Sequence, residues 1–471
     1  MSPQEVRMSA PQLNNGIRAR ATPLVLGKLE QLSSSSDLMP SNNFFQGTAP
    51  SLQAQWSNPS DIFTILMIIG GDTVHAALAQ VCAGPIPNLA PASFSFGCVS
   101  YAVSAMRSAV GHHRLMPAPD FACKIINLNT GYARTNHSWI LSRLLRDFEY
   151  WCGDACKESK REKIHEMKRK GKGDQRPLRI SFWSCMNESH ILEGRGDRAY
   201  WIGILVSLVQ IGISTIPWAL WNEWSICLFT IAGTVLAYCN GLSSQWSEEK
   251  SGNRALSHRQ RFCLTVGNGV DEAIVIECEK GSVNLEALAG PQVVVSHPLW
   301  TRTWTFILAF LWIVFLVSVA GWQQHTWFLI GVGISGMIHN TLVSGMPRTP
   351  SAWGLQLELR EVFIADKTME TLVSLEEYSP GAGRVMLAEF FPGDLWPREE
   401  RFWKYARRRE MARKRDRHDP EPWAMPPLRR PDGRSNDDDI PEVGPYRAAE
   451  KVRPQLDSAQ STYRPLQRDM A

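Results

Sequence analysis

AYWIGILVSLVQIGISTIPWALW, from Ala199 to Trp221, is followed after only Asn222 and Glu223 by WSICLFTIAGTVLAYCNGLSSQW, from Trp224 to Trp246. Neither stretch holds a Lys, Arg, Asp or Glu. Each matches the roughly 20 apolar residues that carry an α-helix across about 30 Å of hydrocarbon. Both are bounded by Trp, whose ring favours the membrane interface. Two such runs joined by two residues predict a helical hairpin that crosses a membrane and returns.

The same reading extends in both directions. Towards the C-terminus, Thr303 to Trp322 and Thr326 to Gly345 form a second apolar pair with a very short link. Towards the N-terminus, Ser60 to Ala83 and Ser93 to Val110 are apolar but poorer in Leu and Ile. The mean hydropathy of the chain is slightly negative, because long polar segments dilute these runs. The fold class expected is an α-helical polytopic membrane protein: about six transmembrane helices in three hairpins, a small cytosolic α+β domain and disordered tails. In order, the segments are a disordered tail (1–57), a first transmembrane hairpin (58–110) and a basic cytosolic loop with an amphipathic helix (111–198). A second hairpin (199–246), a cytosolic β-hairpin loop (247–298) and a third hairpin (299–345) follow. Cytosolic strand and helices (346–415) and a disordered tail (416–471) end the chain.

Charge sets the expected orientation. Of 50 Lys and Arg, 17 lie between 111 and 198 and 22 after 346, while the three links assigned to the far side hold none. Basic residues stay on the cytosolic side, so both termini and both long loops are expected there. The sequons at Asn136 and Asn187 should then stay unmodified. Leu24 to Gly27 is too short for the apolar core of a signal peptide, so the first helix is expected to direct insertion. The net charge of +4 and ten cysteines without a repeating pattern identify no partner and no disulfide framework.

Within the cytosolic segments, Trp139 to Trp151 (WILSRLLRDFEYW) has helical amphipathic spacing. The basic run Lys157 to Arg176 (KESKREKIHEMKRKGKGDQR) is expected to be solvated and mobile. RFCLTV and DEAIVIEC around Asn268-Gly269 read as a β-hairpin. Leu355 to Ile364 reads as a third strand that joins the hairpin in a small cytosolic α+β domain, and Lys367 to Tyr378 as a helix.

Asp72 and His75 in the first helix are the sharpest polar signal. A carboxylate in hydrocarbon costs about 2.5–3.5 kcal/mol on insertion scales, so it seeks a partner or water. Three residues apart, the two share a helix face. They are either a contact point for an ion, proton or substrate, or an interhelix bond, with Gln210 and Asn240 as candidate partners. GVGISG at Gly331 to Gly336 fits a dinucleotide fingerprint by letters only. It lies within an apolar span rather than in a strand-to-helix turn, and small residues there let helices approach closely. His112-His113 stands alone, and Cys152 with Cys156 lacks the second pair of a zinc site. His339-Asn340 is a lone dipeptide and assigns no activity. No catalytic residue, metal ligand or cofactor is assigned. The basic residues Arg401, Lys404, Arg407, Arg408, Arg409, Arg413, Lys414 and Arg415, preceded by Phe402 and Trp403, are candidates for contact with anionic lipid headgroups.

Four segments carry a resemblance: PSDIFTILMIIGGD (Pro59 to Asp72), FSFGCVSYAVSA (Phe94 to Ala105), GYARTNHSWILSRLLRDFEYW (Gly131 to Trp151) and AGRVMLAEFFPGDL (Ala382 to Leu395). The chain from about 55 to 405 resembles a widespread family of uncharacterised multi-pass membrane proteins of filamentous fungi. The resemblance implies a membrane location and carries no activity or site residue with it. Gly111-His112-His113-Arg114 stands where that family's pattern reads Gly-Asp-Gly-Arg. The leading expectation is a non-enzymatic docking or scaffold protein, with the lipid bilayer and cytosolic proteins as partners and no nucleic acid. The alternative is a small-solute or ion transporter using Asp72 and His75, and a membrane-embedded enzyme is third.

Overall fold

The computed structural model describes residues 60–415, apart from 83, 87–88, 112–113, 172–175, 187–191, 193, 195, 253, 292–294, 323 and 392. The expectations for both tails, for His112-His113 and for the Asn187 sequon fall outside the described residues. Fourteen α-helices and six strands are described. The helical bundle contains α1 (Ser60–Val81), α2 (Gly97–Gly111), α6 (Arg198–Trp221), α7 (Ser225–Cys239), α10 (Pro298–Ala320) and α11 (Thr326–Gly345). Three of these, α6, α10 and α11, are long and apolar enough to cross a membrane. The helix α7 and residues 66–81 of α1 are apolar but shorter.

Six crossings in three hairpins are not supported. The helices α6 and α7 do pack together, as do α1 and α2. The last pair does not form a packed hairpin: α11 packs against α1 and α6, and α10 against α2 and α7. The bundle's outward surface is apolar, with Leu205, Leu208, Phe310, Val317, Val235 and Leu342 exposed. Exposed Trp201 and Trp300 mark one end of it, and Trp218, Trp221, Trp224 and Trp327 the other. That is an apolar belt between two aromatic rims, the pattern that matches a bilayer.

The first apolar pair departs most from expectation. The C-terminal end of α1 meets that of α11, where Gln80 donates to the Met346 carbonyl (3.1 Å). The two helices therefore run parallel. Residues 90–96 then re-enter the bundle without regular structure, every one buried. The chain turns at Gly97, which abuts Gly70 in the middle of α1. From there α2 climbs back towards the end it came from, so that Ala105 faces Asn240 and Ser243 beyond the end of α7.

A six-stranded sheet stands at that end: β1 (Lys124–Asn127), β2 (Ala133–Thr135), β3 (Arg179–Cys185), β4 (Gln260–Thr265), β5 (Glu272–Cys278) and β6 (Leu357–Ile364), in the order β2-β1-β4-β5-β3-β6. The expected hairpin is β4–β5, with Gly267 and Gly269 at positive φ in its turn. The expected third strand is β6, in the same sheet as the hairpin. The unforeseen β3 sits between, parallel to β5 and antiparallel to β6.

Side chains alternate across the sheet, as the two-residue period demands. Ile125, Phe262, Leu264, Ile274, Ile276 and Trp183 join one hydrophobic core that runs on into the bundle. Ile126, Cys263, Val275, Ile180, Phe182 and Phe363 join a second core on the other face. There they meet α12 (Thr368–Tyr378), α13 (Ala382–Phe390) and α14 (Pro397–Arg415). On the bundle side, the amphipathic stretch is two helices, α3 (Trp139–Arg146) and α4 (Phe148–Trp151), broken at Asp147. The basic run is not loose but lies largely in α5 (Asp154–Arg169). Its Lys160 pairs with Glu272 (2.6 Å) and its Lys163 with Asp366 (2.8 Å). Two further short helices, α8 (Gln245–Ser251) and α9 (Leu285–Leu288), complete this layer.

Candidate functional site

Three places concentrate polar groups: the bundle interior, its junction with the sheet, and the outer surface of α14. In the interior, the re-entering segment has backbone groups that an apolar environment leaves unpaired at a cost of several kcal/mol, of order the amide transfer penalty. Side chains from distant helices supply partners. The Gln210 amide donates to the carbonyls of Phe94 (2.8 Å) and Val332 (2.9 Å). Asn340 donates to the Ser93 carbonyl (2.9 Å), and the Ser93 hydroxyl lies 2.9 Å from Nδ1 of His339. Glycines make the room: a Cβ on Gly336 would stand 1.8 Å from the Phe94 carbonyl oxygen, and one on Gly203 2.1 Å from that of Pro91. Phe94 packs parallel to Trp312, with ring centroids 6.2 Å apart. The gap bounded by Tyr101, Ala102, Leu115, Asn240 and Thr305 measures about 10 Å³, room for at most one water.

Ser93 and His339 resemble half of a nucleophile pair, yet both are buried, and Asn340 and Gln210 engage the neighbouring backbone. The arrangement can hold a strand in place. Asp72 and His75 do not meet this cluster. Asp72 is exposed on the outer surface of α1, next to Ile68 and Ile69. His75 turns the other way, with Nε2 2.6 Å from the Leu115 carbonyl and its ring against Tyr101.

The junction is a set of charged struts. Arg348, just past α11, grips Asp197 at the start of α6 with two bonds of 2.6 and 2.8 Å, and its guanidinium also donates to the Gln80 carbonyl. Arg143 and Arg146 of α3 donate to the Ser344 (2.7 Å) and Gly345 (3.3 Å) carbonyls. They cover the unsatisfied last turn of α11 and meet the negative end of its dipole. Glu249 accepts from the backbone N–H groups of Leu115 (2.7 Å) and Met116 (2.8 Å). Burial pushes the Glu249 carboxyl up from its ordinary range, against these bonds.

Lys250 is 1 % exposed and donates to the Cys82 carbonyl (3.3 Å). Burial lowers its pKa to about 8, with the nearby Arg348 adding to the effect. In an unfolded chain a lysine titrates near about 10.4. At Lys250 the unfolded chain therefore binds more protons between pH 8 and 10, and this residue's contribution to stability rises with pH across that window. Lys250→Met keeps the volume and removes the charge. The variant is expected to unfold at a higher temperature than the native protein at pH 7, and the gap between the two should narrow from pH 8 to 10 as Lys250 loses its proton. Thermal unfolding in detergent followed across that range checks both.

The cysteine pair is brought together. Cys156 hydrogen bonds to Cys152 and, with Arg179 nearby, holds the Cys152 thiol below its ordinary pKa. Both are buried. Among the described residues, no group of three or more His, Cys, Asp and Glu is placed to hold a metal ion. Arg179, which the sequence reading passed over, is buried in β3. It pairs with Glu149 and Glu272 (both 2.7 Å) and lies over the Phe148 ring.

The basic candidates lie on α14. Its Trp403 and Ala406 are buried against the core on the sheet's far face. Arg401, Lys404, Arg407 and Arg408 are exposed and Arg409 is half-buried. Arg413, Lys414 and Arg415 form the helix's last turn.

Fold and site together define a class: a helical bundle with three membrane-length helices, joined through hydrogen-bonded charged residues to a mixed six-stranded α/β unit. Set against protein-family models, curated proteins and solved structures, the chain finds no match.

Proposed function

We propose that the protein is an integral membrane protein acting as a non-enzymatic docking platform. In this reading the bundle is the anchor and the sheet unit is the surface presented to partners in the cytosol. Five helices cross the membrane, α1, α6, α7, α10 and α11, while residues 90–111 dip in and return on one side. Membership of the fungal family suggested by the four segments belongs to the same proposal. The observation that carries it is the junction. Arg348, Arg143, Arg146 and Glu249 tie the ends of α11, α6 and α8 to the sheet layer, so the two parts move as one body. The packed interior supports the same conclusion. Alternating access needs a site between halves that rock against each other, and here glycine-mediated contacts fill the middle of the bundle.

The transporter reading places its polar pair on the lipid-facing side of α1 and against a backbone carbonyl, so neither residue lines a path. Protein reconstituted in liposomes is expected to show no ion or metabolite flux that depends on Asp72. A flux lost on Asp72→Asn would overturn the platform reading. The platform itself is tested by spin labels at Glu358 and Thr326. One narrow distance distribution is expected, and two populations that shift with solute would argue for a moving machine.

A further inference from the structure

We infer that the exposed face of α14 docks on an anionic lipid surface other than the membrane that holds the bundle. This rests on the anchored reading above and concerns what the platform reaches. The two hydrophobic cores lie on opposite faces of the sheet. One is continuous with the bundle, and the other holds Trp403 and Ala406 of α14. Between bundle and α14 therefore stand the α3 layer and the sheet itself. With layers packing about 10 Å apart, the helix lies roughly 20–30 Å beyond the bundle's end. Charge interactions with that bilayer are screened over about 8 Å at physiological salt. The basic residues thus face away from their own leaflet, contrary to the simplest reading of a basic segment tethered beside a membrane.

The composition of the exposed face points to lipid. Glu400 N–H donates to the Trp396 carbonyl (2.9 Å), so Trp396 starts the first helical turn. At 100° per residue, Trp396, Arg407, Glu400, Met411, Lys404, Arg408 and Arg401 fall in that order within an arc of about 140°. All seven are exposed, and Trp396 is the most exposed large apolar side chain described, at 76 %. The one acid in the arc, Glu400, is paired with Lys404 (2.7 Å). An exposed indole and a methionine among four cations make a surface that enters a headgroup layer while its charges meet anionic lipid. A partner recognised by charge alone has no use for the indole.

The full chain in neutral phosphatidylcholine nanodiscs is mixed with free fluorescent vesicles, either neutral or containing phosphatidylserine. Anionic vesicles are expected to be captured and neutral ones not. Capture should fall at least about tenfold with Arg401→Glu, Lys404→Glu and Arg408→Glu combined, and clearly with Trp396→Ser alone. These side chains are exposed, so folding is retained, and an unchanged elution profile confirms it. Phosphatidylserine placed in the nanodisc should leave capture unchanged. If it abolishes capture, the helix reaches its own bilayer and the inference is wrong. Retention on an acidic polymer with no capture of anionic vesicles would also overturn it, in favour of an acidic macromolecule. Failure to enter nanodiscs at all would instead count against the membrane anchor.

Discussion

Gly336→Val is expected to leave almost no folded protein, whereas Gly331→Ala, five residues earlier on the same helix, is expected to be harmless. Both glycines belong to the GVGISG stretch of α11. A Cβ at 336 would sit 1.8 Å from the Phe94 carbonyl oxygen and 2.7 Å from the Gln210 amide nitrogen, while one at 331 has nothing within 4 Å. The atom in the way is backbone and cannot swing aside. Relief requires residues 90–96 to move, which breaks the bonds from Gln210 and Asn340 that make an extended chain tolerable there. Overpacking alone costs about 1–3 kcal/mol, and more where the neighbour cannot yield. With the polar partners lost as well, the change is expected to exceed about 3 kcal/mol, a large part of a typical stability. Surface changes such as Gly331→Ala fall within about 0.5 kcal/mol. Monodisperse yield and tryptophan-monitored unfolding in detergent check the pair. Equal behaviour of the two variants would mean that the segment does not lie against α11.

What the sequence disclosed follows from how local each signal is. The apolar runs of α6, α10 and α11, the β4–β5 turn at Asn268-Gly269 and the helix α12 each rest on a window of some twenty residues or fewer, and each is present. The strand β3 is different. Its RISFWSC places Arg179 and two serines in a fully buried strand, which reads as a loop. Only Glu149 and Glu272, far along the chain, make the buried guanidinium acceptable. The basic run of α5 failed for the same reason, since its lysines are held by Glu272, Asp271 and Asp366. Gln210, His339 and Asn340 were visible as polar residues in apolar spans. Their task was not visible, because Gln210 and Asn340 donate to backbone carbonyls of residues 93, 94 and 332, which no side-chain pattern marks, and His339 meets the hydroxyl of Ser93. For the candidate site, the basic residues after Arg398 stand out in the sequence, but no one-dimensional pattern says that they lie on one helix or which face of the sheet it covers.

A tag placed ahead of Ser60 and a tag placed after residue 415 are expected to react from opposite sides of the membrane. The charge argument put both on one side, so the two readings disagree outright. The helix α1 is 22 residues long, about 33 Å at 1.5 Å per residue, and its C-terminal end is fastened to the sheet side. Gln80 bonds to Met346, Arg348 reaches the Gln80 carbonyl, and Lys250 bonds to Cys82. Its first residue therefore lies at the far rim, with the link between α6 and α7. Residues 90–111 leave from the sheet side and return to it, so they add no second crossing to restore the parity that six spans would have. Orientation by charge acts through Lys and Arg within about 15–20 residues of a span. The last one before α1 is Lys28, and none lies between Ser60 and Phe96. The four basic residues of the N-terminal tail are accompanied by Glu5, Glu30 and Asp37, so even the tail as a whole gives little preference. A count over whole segments gives every cation the same weight, near or far, whereas none of the tail's cations lies within reach of α1. Impermeant labelling of a single engineered cysteine at either site, in sealed vesicles of one orientation, decides the matter. Labelling of both from the same side would detach α1 from α11 and return residues 90–111 to a full crossing.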